Sequence, residues 1–137
     1  MIIPILRLGK ILLTSIQQEL TDADVLQLQS DLLRKVSEIE ALGVIIDITA
    51  LEVVDSFMAR VINDTAGMAR LLGAEIVICG VQPYVAMSLV EMGRDLIGAD
   101  CVFNLDQGLK LLEARIAVRG DAILSLEGDE YARNDRP

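Results

Sequence analysis

The chain has 137 residues, of which 53% are hydrophobic and 3% aromatic, and its formal net charge is −9. The apolar content excludes a disordered chain, the length favours one domain, and the acidic balance argues against nucleic acid or an anionic membrane as partner. There is no histidine, which excludes Ser–His and Cys–His nucleophile pairs and histidine metal ligands. Neither a Walker A motif nor a G-x-G-x-x-G motif occurs. We therefore expect no catalytic residues, no cofactor and no metal.

The N-terminal part of the chain predicts a β-hairpin followed by a helix. Residues 5–8 and 11–15 read as short strands that flank a tight turn at Gly9 and Lys10. A helix is expected to begin at Thr21, whose hydroxyl can cap the first turn, and to stop at Gly43. Its apolar stripe recurs every three or four residues and comprises Val25, Leu28, Leu32, Val36 and Ile39.

Strands and helices alternate through the rest of the chain. Residues 44–48 and 76–79 are β-branched runs and are predicted as central strands. The other predicted elements are a helix over 56–72 ended by Gly73, a helix from Pro83 to Gly93, an edge strand over 101–104 and a last helix capped by Asp106. This order predicts an α/β fold with about four helices and a mixed sheet of four to five strands, parallel after the hairpin.

Residues 1–117 are predicted to form this domain, and residues 118–137 a charged C-terminal tail, either disordered or loosely docked through Ile123, Leu124 and Leu126. No targeting segment is recognisable, and the longest uncharged stretch, residues 76–90, is too short to span a bilayer. We expect a cytoplasmic protein.

The two cysteines and four of the methionines are expected to have structural roles. Cys79 and Cys101 lie in apolar runs and are expected to be buried, reduced thiols, although one disulfide between them remains open. Four methionines at helical spacing are expected to fill the core, namely Met58, Met68, Met87 and Met92.

The segment from Asp47 to Met58 carries the main candidate site, because Asp55 and Ser56 fall where a helix begins. In one interpretation, either side chain simply caps free amides, which is worth about 1 kcal/mol. In the other, Ser56 is phosphorylated. The positive end of a helix tolerates a phosphate, which would add about −1.5 to −2 of charge beside Asp55.

Two blocks of this chain resemble a known family. Asp47-Ile48-Thr49 followed by Asp55-Ser56-Phe57 resembles the phosphorylation-loop signature of STAS domains of the anti-sigma-factor antagonist family. Residues 80–93 resemble the later strand and helix of the same family, and the resemblance covers roughly residues 1–117. The run EVVDSFMARVIND is similar to the single-domain scaffold branch found in bacterial stressosomes, which implies a STAS domain fold.

The resemblance assigns roles to individual residues. Ser56 matches the phosphoacceptor serine, and Thr49 is a secondary candidate that is more often structural. Asp55 matches the acidic residue that orients the loop and assists kinase recognition, and Phe57 and Asp47 are further candidates for partner recognition. Asp47 stands at a strand end, so it is equally able to cap the following loop.

The resemblance also implies a function. The protein is expected to be a non-catalytic scaffold that assembles with STAS paralogues bearing a sensor domain, with no sensor domain of its own. It would hold an anti-sigma-type serine kinase, release that kinase when Ser56 is phosphorylated, and be reset by a phosphatase. The high apolar content independently suggests self-association.

A small-molecule or nucleotide-binding domain is the alternative. Open α/β sheets bind ligands beyond the carboxyl ends of their strands, where the loops after Ile48 and Cys79 are expected. Thr49 and Gln82 would then be binding residues, although nothing glycine-rich or basic stands there to hold phosphates.

Overall fold

The computed structural model describes residues 3–93 and 99–134, with side chains as far as residue 120. In chain order its elements are β1 (Ile5–Leu8), β2 (Ile11–Ser15), α1 (Asp22–Ile39), β3 (Gly43–Asp47), α2 (Ser56–Leu71), β4 (Glu75–Cys79), α3 (Pro83–Glu91), β5 (Asp100–Val102) and α4 (Leu105–Asn134). The strands form one sheet in the order β1-β2-β3-β4-β5. The β1–β2 pair is antiparallel and the other pairs are parallel. The predicted α/β fold with a mixed sheet is confirmed.

Helices cover both faces of the sheet, so the central strands are buried on both sides. Val44 and Ile46 of β3 belong to the larger core beneath α1 and α2, whereas Ile45 belongs to a smaller core with Leu112 of α4. Side chains alternate between the two faces along a strand. A strand buried on both faces reads as a continuous apolar run, which is why β3 and β4 are evident in the sequence.

The start of α1 is as predicted, but its end is not. Thr21 Oγ1 accepts a hydrogen bond from the Asp24 N–H at 3.1 Å, and Asp24 accepts one in return from the Thr21 N–H at 3.2 Å. The helix ends at Ile39, and Glu40 forms the C-cap with a left-handed φ of 52°. The prediction that Gly43 stops this helix was wrong. Gly43 opens β3, where a Cβ would lie 2.8 Å from Leu112 Cδ1.

The last helix also differs at its start. Asn104, not Asp106, caps α4, because Asn104 Oδ1 accepts the Gln107 N–H at 2.9 Å. The edge strand before it spans Asp100–Val102 rather than 101–104. The α4 backbone continues to Asn134. The domain boundary after residue 117 stays a prediction, and the docking predicted for Ile123, Leu124 and Leu126 lies outside the described side chains.

Both cysteines are free thiols. Cys79 is buried, as predicted, but Cys101 is exposed on the edge strand β5, so its predicted burial was wrong. In the described part of the chain, no helix combines the length and the apolar character needed to cross a membrane.

Candidate functional site

The connection from β3 to α2 forms an exposed loop with three buried anchors at the carboxyl edge of the sheet. Ile48, Leu51 and Val54 are each at most 2% exposed, and the Leu51 N–H donates to the Ile48 carbonyl at 2.9 Å. Asp55 and Ser56 are exposed. The apolar anchors therefore fix the path of the loop and leave its polar end on the surface.

Asp55 and Ser56 have different roles at the start of α2. Asp55 is the N-cap in an extended conformation, and its Oδ1 accepts the Met58 N–H at 2.8 Å. Ser56 is the first residue of the helix. The capping interpretation is thus correct for Asp55. The cap does not use the Ser56 hydroxyl, which lies at the positive end of the helix dipole.

Phe57 is only partly available to a partner. Its ring is half-buried against the core beneath α1 and α2, and the Arg60 guanidinium carbon lies 5.5 Å from the ring centroid. Much of the Phe57 ring is therefore used in packing against the core, and a role for Phe57 in partner recognition stays a prediction.

Asp47 caps its own loop, as one of its two interpretations proposed. Asp47 Oδ1 accepts hydrogen bonds from the Thr49 N–H at 2.9 Å and from Thr49 Oγ1 at 2.5 Å. From the neighbouring strand, Ser15 Oγ donates to Asp47 Oδ2 at 3.5 Å. A role for Asp47 in kinase recognition stays a prediction, since these contacts are within the loop and the sheet.

The loop after β4 closes over Thr49. Gln82 Nε2 donates to the Thr49 carbonyl at 2.6 Å. Gly80 has a φ of +80°, and a Cβ there would meet Thr49 Oγ1 and lie 2.9 Å from Thr49 Cα. Glycine is therefore required at this position both by its conformation and by the close approach of Thr49.

Gln17 Nε2 donates to Ser15 Oγ, and sequence reasoning assigned no role at this site to Ser15, Gln17 or Gly80. Ser15 and Asp47 end neighbouring parallel strands and face each other in register. Polar residues at the carboxyl ends of successive strands are the signal that could have identified Ser15. The approach of Gly80 to Thr49 has no comparable signal, because it depends on the packing of two loops.

Cys79 is buried at the end of β4, where it pairs in register with Asp47 of β3. Burial, followed by the charge of Asp47 and a hydrogen bond to it, raises the pKa of the Cys79 thiol to about 12. The thiol is therefore protonated at neutral pH. Redox chemistry at Cys79 is disfavoured, since the thiolate is the reactive species.

A shallow groove of about 320 Å³ lies beside β5 and is lined by Val81, Cys101, Val102, Phe103 and Gln107. These five lining residues include no cationic side chain that could bind a phosphate. Across the described residues, no group of three or more Cys, Asp or Glu side chains is arranged to hold a metal ion.

The helix α3 presents an apolar surface next to Gln82. Tyr84, Met87 and Val90 are each more than half exposed. Met58 is buried as predicted, but Met68, Met87 and Met92 are exposed, so their assignment to the core was wrong. The helical spacing was correct, but it did not reveal which face of each helix is covered.

Comparison with known proteins extends these observations. The family model of the STAS domain matches residues 3–105. A serine-to-glutamate variant of RsbS from Moorella thermoacetica is 37% identical with a TM-score of 0.74, over 84% of this chain and 97% of that chain. A chain from the structure of the stressosome, a signal integration and transduction hub, is 40% identical with a TM-score of 0.71, over 82% of this chain and 98% of that chain.

A longer relative is also similar. The RsbT co-antagonist protein RsbRA of Bacillus subtilis (strain 168) is 31% identical over 84 residues, which are 61% of this chain but only 31% of RsbRA. This chain therefore matches about a third of that protein. The resemblance to stressosome scaffold proteins, drawn above from the two sequence blocks, is confirmed by the RsbS and stressosome matches. With the family model covering residues 3–105, the chain belongs to the STAS domain family.

Proposed function

We propose that this protein is a non-catalytic scaffold whose hold on a serine kinase is controlled by phosphorylation of Ser56. It would assemble with further copies and with sensor-bearing STAS paralogues into a stressosome. A kinase of the anti-sigma type would be held until Ser56 is phosphorylated, and a phosphatase would reset the site. This assembly and its kinase would be located in the cytoplasm.

The observation that carries the proposal is that Asp55, and not Ser56, caps the start of α2. Asp55 supplies the cap, so the exposed Ser56 hydroxyl is accessible to a kinase without opening the helix. A phosphate there would meet first-turn amides and the positive end of the helix dipole. Phosphorylation would consequently leave the fold of α2 intact.

The effect of the phosphate would be electrostatic. It would add about −1.5 to −2 of charge next to Asp55, on a chain whose net charge is already −9. Because Ile48, Leu51 and Val54 hold the loop from below, the new charge would remain at one place on the surface. A partner seated over this loop would then be weakened or released.

Two observations support the proposed partners: the similarity to RsbS and stressosome chains, and the exposed apolar side chains of α3. The RsbS and stressosome chains are matched over 97% and 98% of their lengths. The exposed apolar side chains of α3, Tyr84, Met87 and Val90, lie beyond the Gln82 contact with the loop. Exposed apolar residues grouped in this way are typical of protein contact surfaces.

A small-molecule or nucleotide-binding role has less support. The groove beside β5 is open, and its five lining residues carry no cation. The loop edge where a ligand would bind is already occupied by the contact between Gln82 and the Thr49 carbonyl. Saturable nucleotide binding measured by calorimetry, lost in Gln82→Ala, would favour this alternative.

The test is a comparison of kinase binding by matched charge variants. Ser56→Asp places a negative charge at the site, and we expect it to weaken binding of the anti-sigma-type kinase by at least about tenfold, measured by calorimetry. Ser30→Asp makes the same change at an exposed position of α1 and should leave binding unchanged. Thermal unfolding of Ser56→Asp should match that of the unmodified protein.

Equal kinase binding by Ser56→Asp and the unmodified protein would contradict the proposal. An unfolded Ser56→Asp would instead show that Ser56 has a structural role that the geometry does not indicate.

A further inference from the structure

Polar side chains cross the carboxyl ends of three neighbouring strands in one hydrogen-bonded series, which we name the polar bridge. It consists of Gln17, Ser15, Asp47, Thr49 and Gln82. Gln17 Nε2 donates to Ser15 Oγ, and Ser15 Oγ donates to Asp47 Oδ2. Asp47 Oδ1 accepts from the Thr49 backbone and hydroxyl, and Gln82 Nε2 donates to the Thr49 carbonyl. The bridge therefore joins the ends of β2 and β3 to the start of α3.

Thr49 is the most heavily constrained member of the bridge. Its N–H, its hydroxyl and its carbonyl oxygen each have a partner within the bridge. Gly80 closes the remaining side, since even a methyl group at Gly80 would meet the Thr49 hydroxyl. An exposed residue held by three hydrogen bonds and a close backbone contact has little conformational freedom.

We propose that Thr49 is a positioning residue for phosphorylation of Ser56, and not a second phosphoacceptor. Through the polar bridge it would fix the shape of the loop that presents Ser56 to the kinase. This inference rests on the proposed function, because it concerns the regulation of the same site.

The chemistry of Thr49 opposes its phosphorylation. Its hydroxyl donates to the Asp47 carboxylate at 2.5 Å, so a phosphoryl group on that oxygen would set a dianion against a carboxylate. On its other side, the same hydroxyl is packed so closely against Gly80 that a Cβ there would meet it. Ser56 also has a carboxylate beside it, but Asp55 is engaged by the Met58 N–H, and Ser56 itself is exposed at the positive end of α2.

The loop conformation can be measured without a kinase. The reporter is hydrogen exchange of the Leu51 amide, which bonds to the Ile48 carbonyl across the turn that contains Thr49. Thr49→Val keeps the shape and removes the hydroxyl, and we expect this exchange to become about tenfold faster or more, as for loss of a hydrogen bond to a charged group. Thr49→Ser should restore it.

Thr14→Val is the matched control. Thr14 Oγ1 donates to the Pro4 carbonyl at 2.9 Å, a partner outside the polar bridge. The same chemical change there should leave Leu51 exchange within about twofold of the unmodified protein, because the Thr14 hydroxyl shares no hydrogen-bond partner with the bridge.

Coupling across the bridge provides a second measurement. Gln82→Met retains the length of the side chain and removes the amide. If the bridge acts as a unit, the effect of Thr49→Val on Leu51 exchange should be smaller in the Gln82→Met background. Unchanged Leu51 exchange in Thr49→Val, or strictly additive effects, would overturn the bridge.

The kinase assay tests the positioning role. We expect Thr49→Val to lower kcat for Ser56 phosphorylation by about tenfold with little change in KM, since misplacement of a reacting group mainly affects the chemical step. Thr49→Ser should recover kcat. Phosphate on Thr49, or an unchanged kcat in Thr49→Val, would overturn the inference. Absence of Ser56 phosphorylation in the unmodified protein would overturn the proposed function and this positioning role, whereas the exchange data would still decide the bridge.

Discussion

At the scale of single residues, Cys79 shows how strongly the carboxyl edge of the sheet constrains one group. The thiol is fully buried beside Asp47. Burial, and secondarily Asp47, raises its pKa from the ordinary value of 9.0 to about 12. Folding therefore favours the protonated thiol. As a result, the free energy of unfolding varies with pH in the alkaline range.

The sign of that dependence follows from proton binding. Above about pH 9 the thiol of the unfolded chain loses its proton, whereas the folded protein keeps it until about pH 12. The contribution of Cys79 to the free energy of unfolding is thus complete below pH 9 and is lost as the pH rises toward 12, by up to about 1.4 kcal/mol per pH unit.

Urea unfolding between pH 8 and 10.5 measures this loss. Cys79→Ala should be less stable than the unmodified protein at pH 8, and the difference should shrink as the pH rises. Cys101→Ser is the control that retains the buried thiol and should keep the pH dependence due to Cys79. A difference between Cys79→Ala and the unmodified protein that stays constant over this range would contradict the assignment.

At the scale of the element, the start of α2 places the capping residue Asp55 directly before Ser56, the proposed phosphoacceptor. The Asp55 side chain satisfies the Met58 amide, while Ser56 occupies the first helical position. Under the proposed function, the contribution of this site to stability and its role in regulation can consequently be separated by mutation.

Asp55→Ala should lower the free energy of unfolding by about 1 kcal/mol, as for the loss of an N-cap. Asp55→Asn keeps an accepting oxygen and should lose much less, and Ser56→Ala should stay within about 0.5 kcal/mol of the unmodified protein. Chemical denaturation of the three variants measures these differences. A larger loss in Ser56→Ala than in Asp55→Ala would show that the roles are reversed.

Element boundaries were predictable where a local signal determines them. Thr21, Asp55 and Pro83 each mark a helix start in both the sequence and the structure. The end of α1 was not predictable, because a glutamate, Glu40, adopts the left-handed conformation that glycine usually provides. Gly43 instead opens β3, where Leu112 of α4 packs closely against it, a tertiary contact that a local pattern does not reveal.

At the scale of the whole molecule, the order of elements was predictable and the shape of the site was only partly so. Continuous apolar runs identified β3 and β4, and the alternation of helices with strands determined the parallel pairing. Asp55 and Ser56 were singled out because they are adjacent in sequence at a predicted helix start, and the structure does begin α2 there. Thr49 and Gln82 were expected at the same edge of the sheet, but the contact between them depends on how the two loops pack and was not predicted.

The polar bridge and the apolar anchors hold the loop that carries Asp55 and Ser56 from two sides. Asp47, Thr49 and Gln82 hold the top of the loop, and Leu51 and Val54 hold it from the core. On this account, phosphorylation changes the charge of a fixed surface rather than the fold. The exposed face of α3 beside that loop extends the surface available to a partner.

Phosphopeptide mapping determines whether Ser56 is the residue that the kinase modifies. The protein would be incubated with an anti-sigma-type serine kinase and Mg-ATP, beside the Ser56→Ala variant. We predict phosphate on Ser56, none on Thr49 and none on the variant. An unmodified Ser56, with the kinase shown to be active on another substrate, would contradict the account and reduce the Asp55–Ser56 pair to the start of a helix.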